Sequence, residues 1–178
     1  ASDGVSFVST NDVVTSTLLG AARADLGLMA VDLRGRVPAA TPLHAGNYSN
    51  VIQYRPPDWA SPALIRQSVE RCRRASVPPT RLLRGWDDLG ARYASVTNWS
   101  AFAKGVVLPN GCVDELHLAY MPHATHEPPL PPASVWAMAI LFCPHPSSAP
   151  HSLAMVLIGD ASFHERVRAS GISSGPLR

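Results

Sequence analysis

Seven histidines are the residues of this chain best suited to metal binding or proton transfer, and three of them lie close together in the sequence. His117, His123 and His126 occupy a proline-rich stretch, where their spacing does not place them on one face of a helix. No cysteine or carboxylate pattern around them completes a zinc-like set of ligands. We therefore predict surface histidines and no metal site.

The three cysteines do not form a pattern typical of a disulfide or a metal site. Cys72, Cys112 and Cys143 are far apart and odd in number, which predicts neither a disulfide framework nor a zinc-ligand pair. This usage is typical of a reducing, intracellular compartment, either the cytoplasm or an organelle. The chain also contains no P-loop or dinucleotide-binding fingerprint.

A local group of arginines allows two interpretations. Arg66, Arg71, Arg73 and Arg74 follow one another within a short stretch. Such a group most often forms the solvated face of a helix, which is the interpretation we favour. The alternative is a contact for phosphate groups.

Capping chemistry and hydrophobic spacing predict the first helix. Ser9 is its N-cap, and Asp12 at the third helical position is placed to accept hydrogen bonds from exposed N–H groups at the positive end of the helix dipole. Gly27 should end the helix as a C-terminal glycine. One apolar stripe has spacings of three and four: Val14, Leu18, Leu19, Ala22 and Leu26.

The strands are predicted by short apolar or alternating runs. On a strand over residues 28–34, Asp32 and Arg34 share a face and can pair. Gly46 and Asn47 open a second strand over residues 51–54, and residues 93–102 alternate like a strand whose two faces differ. Residues 134–143 and 152–158 are proline-bounded apolar runs, which predict two buried strands joined by a long loop.

Two more helices and a turn complete the predicted elements. Ser61 followed by Pro62 begins a helix that runs to about Ala75. The segment Pro109-Asn110-Gly111 predicts a turn. Asp160 caps a last short helix over residues 163–169, and residues 170–178 should form a frayed tail.

Composition excludes several classes of protein. The length of 178 residues fits one domain, and a hydrophobic content of 46% is enough to bury a sizeable core. The net charge of +2 comes from scattered residues, which argues against a nucleic-acid partner. The longest apolar run is far shorter than the roughly 20 residues of a membrane span. Because the chain begins at Ala1 without a leader pattern, we expect an N-terminus that is processed or truncated.

Three motifs in the first fifty residues resemble the opening of the C-terminal half of the CoA-dependent acyltransferase superfamily. That superfamily includes chloramphenicol acetyltransferase, the condensation domains of peptide synthetases and, most similar here, the BAHD acyltransferases. Its pattern is a Ser/Thr-x-x-Asp helix start, a strand carrying V-D-x-R and a Gly-Asn loop. The matching residues, in order, are Ser9 and Asp12, then Val31, Asp32 and Arg34, then Gly46 and Asn47.

The resemblance carries expectations for fold and reaction. It implies that residues 1–178 are a single α/β domain, an α+β two-layer arrangement in which helices flank a mixed β-sheet, as in one lobe of the chloramphenicol-acetyltransferase-like fold. It also implies transfer of an acyl group from acyl-CoA or another thioester co-substrate to a hydroxyl or amine, with no covalently bound cofactor.

The same resemblance singles out Thr97 and Trp99. The superfamily carries a Ser or Thr at this point, often followed two residues later by Trp. The hydroxyl is then implied to donate a hydrogen bond to the oxyanion of the tetrahedral intermediate, and the Trp to pack beside the substrate tunnel. Taken without the resemblance, Thr97 is an ordinary strand threonine and Trp99 a core aromatic residue.

The sequence departs from the family in two places. Asp114 alone matches the D-F-G-W-G element of BAHD enzymes, since the glycines are missing. The superfamily also needs an H-x-x-x-D motif, whose histidine is the general base. None of the seven histidines has an aspartate four residues later. The chain therefore lacks the catalytic base, which must come from another polypeptide or from a missing N-terminal half.

Three hypotheses remain open from the sequence. The chain is one lobe of an acyltransferase, completed by a histidine-bearing segment or chain. Alternatively it is a non-catalytic scaffold or accessory subunit of a larger complex that retains the acyltransferase-like lobe. In the third, it is a globular domain whose motif matches are accidental.

Overall fold

Eleven elements follow one another along the part of the chain that is described. The computed structural model describes residues 4–38, 40–45, 48–73, 91–100, 106–107, 109, 113–114, 136–144 and 152–172. The helices are α1 (Thr10–Ala21), a 3-10 turn (Pro56–Trp59), α2 (Pro62–Arg71) and α3 (Ala161–Ala169). The strands are β1 (Leu26–Asp32), β2 (Ser49–Tyr54), β3 (Tyr93–Asn98), β4 (Val106–Val107), β5 (Val113–Asp114), β6 (Trp136–Phe142) and β7 (Ala154–Ile158).

Five of these strands form a mixed sheet, which confirms the predicted fold class. The strand order is β2-β1-β3-β6-β7. The three central strands β1, β3 and β6 are parallel, whereas the outer strands β2 and β7 run antiparallel to their neighbours. The short strands β4 and β5 pair as an antiparallel hairpin on either side of the predicted turn at Pro109.

The helices pack on one face of the sheet. Side chains that alternate along the strands meet apolar side chains of all three helices in a single core. The strand members of this core include Met29, Ile52, Val96, Ala139 and Leu141. The opposite face of the sheet carries the intervening residues, among them Leu28, Ser95, Thr97 and Ile140.

The beginning of α1 confirms the prediction from capping chemistry. The Ser9 hydroxyl accepts a hydrogen bond from the Asp12 N–H at 3.3 Å, and the Asp12 carboxylate accepts one from the Ser9 N–H at 2.7 Å. The same carboxylate is fully buried and is bound by Arg66 of α2, with Nη2 2.6 Å from Oδ2. The prediction of a solvated helix face is wrong for Arg66, because its side chain is only 13% exposed and binds a partner 54 residues earlier in the chain. It is confirmed for Arg71 and Arg73, which are exposed.

The predicted end of α1 is wrong by six residues. The helix ends at Ala21. The residue with a left-handed φ just after it is Arg23, at +50°, and not a glycine. The N–H groups of Asp25 and Leu26 then donate to the Arg92 carbonyl, which starts β1. Gly27 and Leu26 therefore belong to the strand, and a tertiary hydrogen bond rather than a terminal glycine determines where the helix stops.

The other boundaries shift by a few residues. Strand β1 begins and ends two residues earlier than predicted, so Arg34 lies in the turn beyond the strand. It still pairs with Asp32 as expected, with Nη1 3.1 Å from Oδ2. Helix α2 starts at Pro62 behind its Ser61 cap, as predicted, but ends at Arg71, because Cys72 takes a left-handed φ of +51°.

The Asp160 cap of α3 gives a prediction with a defined pH dependence. Its Oδ1 accepts hydrogen bonds from the Phe163 N–H (2.7 Å) and the Ser162 hydroxyl (2.8 Å), and the backbone bond is the main cause that lowers the pKa of this carboxyl below 3.8. We expect Asp160→Ala to lower the free energy of unfolding by about 1 kcal/mol at pH 7. Because the folded-state pKa is lowered, this contribution is present above about pH 4 and is lost as the pH falls further.

Urea unfolding of the unmodified chain and of Asp160→Ala at pH 7 and pH 3 measures how the loss of stability depends on pH. Asp160→Asn is the matched control, since asparagine also caps helices but does not titrate. It should lose less stability than the alanine variant at pH 7, and the difference between the two variants should be the same at both pH values, because neither side chain titrates. An alanine effect of the same size at both pH values would contradict the role of the ionised carboxylate.

Candidate functional site

Thr97 and Trp99, the two residues predicted to serve the reaction, lie at the edge of the sheet where its parallel strands end. Strands β1, β3 and β6 end at Asp32, Asn98 and Phe142. Because parallel strands end on the same side of a sheet, these termini and the residues after them share one edge, which we call the carboxyl edge. Thr97 is the last but one residue of β3, and Trp99 follows the strand directly.

Hydrogen bonds of the two residues that follow Thr97 fix the end of β3. The Trp99 N–H donates to the Leu141 carbonyl of β6 at 2.7 Å. The Asn98 side chain donates to the Asn11 side chain of α1 at 2.9 Å and accepts from the Ser100 N–H at 2.9 Å. These bonds also bring the N-terminal end of α1 to the carboxyl edge.

The sheet opens beside Thr97. The pairs between β1 and β3 run from Leu26 with Tyr93 to Met29 with Val96. Beyond that point β1 continues only along β2, as far as Asp32, and β3 continues only along β6, as far as Asn98. The two strands thus part at their carboxyl ends, and ligands of open sheets bind in crevices of this kind.

Two hydroxyl groups line β3 on the side of the sheet away from the helices. Thr97 is half-buried there, next to Ile140 of β6. Ser95, two residues earlier, lies between Leu28 and Met138, and its Oγ is buried without a hydrogen-bond partner. Ser95 was not among the residues predicted from the sequence, although residues two apart on a strand share a face. Hydroxyl donors among apolar neighbours can stabilise negative charge that develops on a bound group.

The remaining motif residues do not join Thr97 in one cluster. Ser9 and Asp12 hold the start of α1 and its contact with α2, as described above. Asp32 and Arg34 form an ion pair just past β1, and the Arg34 backbone N–H also donates to Asp32 Oδ1. These bonds to Arg34 lower the pKa of the Asp32 carboxyl. The other predicted pair, Gly46-Asn47, lies outside the described residues.

Two histidines lie in the described part of the chain, and no hydrogen bond joins either of them to Thr97. His44 follows β1, and its Nδ1 accepts a hydrogen bond from the Thr41 N–H at 3.3 Å. This bond engages the lone pair of Nδ1. His164 lies on α3, which begins where β7 ends, at the opposite edge of the sheet. His117, His123 and His126 lie outside the described residues.

Within the described ranges, no group of three histidine, cysteine, aspartate or glutamate side chains is arranged to hold a metal ion. No helix in those ranges is both long and apolar enough to cross a bilayer.

Comparisons with known proteins leave the family of this chain open. Neither family models, nor curated proteins, nor solved structures match it. The geometry of the carboxyl edge is therefore the basis for the function proposed below.

Proposed function

We propose that this chain is one lobe of an acyltransferase that moves an acyl group from a CoA-type thioester to a hydroxyl or amine. The observation that carries this proposal is the position of Thr97, half-buried on the face of β3 away from the helices, just beyond the last pair between β1 and β3. The resemblance of residues 9–12, 31–34 and 46–47 to the superfamily supports the same reaction. The histidine base comes from another segment or chain.

The reaction assigns one task to this lobe. The acceptor oxygen or nitrogen attacks the thioester carbonyl while the partner's base takes its proton. The carbonyl oxygen of the resulting tetrahedral intermediate then carries negative charge, and the Thr97 hydroxyl donates a hydrogen bond to it. The carbon–sulfur bond breaks as the carbonyl re-forms, and the thiolate leaves and takes up the proton.

We expect Thr97→Val to lower the rate of acyl transfer at least about tenfold in the complex with the histidine-bearing partner. Valine has nearly the shape of threonine and lacks only the hydroxyl, so the fold should be retained. Release of free thiol from acyl-CoA measures the rate. Thr97→Ser is the matched control, because it keeps the donor and should retain most of the activity.

The isolated chain provides a second test. Without a base supplied by a partner, it should consume no thioester above the background rate. An unchanged rate for Thr97→Val in the complex would remove Thr97 from the reaction.

A second candidate function is a non-catalytic scaffold or accessory subunit. It is favoured by the arrangement of His44 and His164, neither of which serves Thr97, and by the missing H-x-x-x-D motif. Robust turnover by the purified chain alone would overturn this alternative. Thioester consumption that depends on both a partner and Thr97 would also exclude it.

A further inference from the structure

Strand β7 forms one lateral edge of the five-stranded sheet. Among the described strands it pairs only with β6, along one of its two sides. Its five residues, Ala-Met-Val-Leu-Ile, are all apolar, and each of their side chains is partly exposed. An edge strand that carries no charge and no proline is a template for pairing with a further strand.

The hydrogen bonds of the neighbouring strand show which backbone groups of β7 face outward. The Leu141 carbonyl of β6 accepts from the Trp99 N–H, so the backbone polar groups of Leu141 point toward β3. In an antiparallel pair, two opposed residues either exchange both hydrogen bonds or both point away from each other. Met155, which lies opposite Leu141, therefore directs its N–H and C=O to the free side, and so does Leu157 two residues later.

These outward groups have no partner within the described part of the chain. Neither Met155 nor Leu157 has a backbone or side-chain hydrogen bond there besides the sheet pairing. The other lateral edge, β2, differs, because the Val51 N–H donates to the Asn50 side chain at 2.8 Å. A local side-chain bond of this kind competes with pairing to another strand. The open pairing surface is therefore β7.

We infer that β7 is the docking surface for a second copy of this chain, which pairs with it antiparallel about a two-fold axis at Val156. In this register Met155 lies opposite Leu157 of the second copy, and Leu157 lies opposite Met155 of the second copy. Each of these pairs exchanges both hydrogen bonds, which satisfies the outward groups of the strand. A two-fold axis lets one surface serve both subunits, because the surface is complementary to itself.

The side chains also match across this axis. Val156 faces itself in a pair without hydrogen bonds, where side chains come closest, and β-branched side chains fit such a pleated surface. Ala154, the smallest residue of the strand, lies opposite the larger Ile158. On the other face Met155 and Leu157, which already pack against the core under the helices, extend that core across the axis. No charged side chain of β7 opposes the contact.

The size of the contact sets its strength. A strand of this length extends over about 17 Å, and a sheet with one helix layer is about 20 Å deep, which gives about 350 Å² on each subunit. A standard stable interface buries about 800 Å² on each partner. We therefore expect a reversible dimer with a dissociation constant on the order of 10–100 μM.

The pairing would join the two sheets into one, with the helices of both subunits on the same side. Thr97, Ile140 and Val156 lie in one row across the strands. The row continues through the axis, so the two Thr97 residues lie on the same face about 24 Å apart, at about 4.8 Å per strand. The dimer does not cover Thr97, and the inference does not depend on acyl transfer.

Sedimentation velocity of the full chain tests the pairing. The unmodified chain should be a monomer at about 1 μM and mostly a dimer at about 500 μM. We expect Val156→Lys to raise the dissociation constant at least about tenfold, because two like charges then lie directly opposite each other. Val51→Lys, on the other edge strand, is the matched control and should leave the constant unchanged. Circular dichroism shows whether both variants are folded.

A charge exchange tests the register. Val156→Glu should also prevent self-association, for the same reason. An equimolar mixture of the Val156→Lys and Val156→Glu chains should form a mixed dimer at least about tenfold tighter than the dimer of either variant alone, because opposite charges then meet at the axis. Only a residue that faces itself across the two-fold axis gives this result.

Each outcome decides the inference. A monomer at about 500 μM would overturn it, and so would equal losses of association from Val156→Lys and Val51→Lys. Failure of the mixed variants to associate would overturn the axis at Val156. Species that grow beyond a dimer with concentration would overturn a closed two-fold contact. None of these measurements involves thioester turnover, so their failure leaves the acyl-transfer proposal standing.

Discussion

Replacing Asp12 with alanine should lower the free energy of unfolding by about 3–5 kcal/mol, the largest effect we expect from a single substitution in this chain. The Asp12 carboxylate is fully buried and accepts hydrogen bonds from the Ser9 N–H, the Ser9 hydroxyl and the Arg66 guanidinium, at 2.7, 2.7 and 2.8 Å. Typical domains are stable by only about 5–15 kcal/mol, so the variant should be marginal at room temperature.

The size of the effect comes from the charge that would be left behind. Arg66 is only 13% exposed, and its guanidinium lies over the Phe7 ring at 4.4 Å. Without Asp12 this cation would be held out of water with no anion beside it, which costs far more than the pair itself contributes. The cap of α1 would be lost in the same step.

Urea unfolding of a double-mutant cycle separates these contributions. We expect Arg66→Met to be strongly destabilising alone, because it leaves Asp12 buried and unpaired, and the double variant to lose less than the two single losses together. Asp25→Ala is the control for an exposed pair. Its partner Arg92 is 44% exposed, so the loss should be at most about 1 kcal/mol. A loss that small for Asp12→Ala would show that the pair does not behave as buried.

Asp12 and Arg66 show which features of the fold the sequence predicts. The contact between Ser9 and Asp12 joins residues three apart, so the pattern of residue types was enough to predict it. The contact between Asp12 and Arg66 joins residues 54 apart, and nothing in the local pattern of arginines distinguishes a buried one from a solvated one. Local capping chemistry is predictable, whereas the pairing of helices that pack together is not.

At the candidate site too, the local features were predictable from the sequence and the long-range contacts were not. Alternation along β3 predicted that Thr97 and Ser95 share a face, and the register with β6 is consistent with this. The alternation could not show that this face lies away from the helices, or that the sheet opens between β1 and β3. Both facts depend on the strand order, which the sequence did not predict because it arises from contacts between segments distant in the chain.

Replacing Gly27 with alanine should lower the free energy of unfolding by about 1–3 kcal/mol, although alanine is the better residue for most backbones. This glycine was predicted to end a helix, but it lies in β1 beneath α1. A Cβ atom there would be 2.9 Å from both Leu19 methyl groups and 3.2 Å from the Trp59 ring. Leu19 is fully buried, so its side chain has no free space to enter.

Two opposing terms decide the sign of this effect. Alanine restricts the unfolded chain and should stabilise by about 0.4–1 kcal/mol wherever the site has room. At Gly27 the overpacking cost is larger, whereas at Gly20, in the exposed part of α1, no atom lies within 4 Å of the added Cβ. Gly20→Ala should therefore raise the free energy of unfolding by about 1 kcal/mol. In a Leu19→Ala background the methyl groups are gone, and Gly27→Ala should cost little or nothing further. Stabilisation by Gly27→Ala in the unmodified chain would show that α1 does not approach β1 this closely.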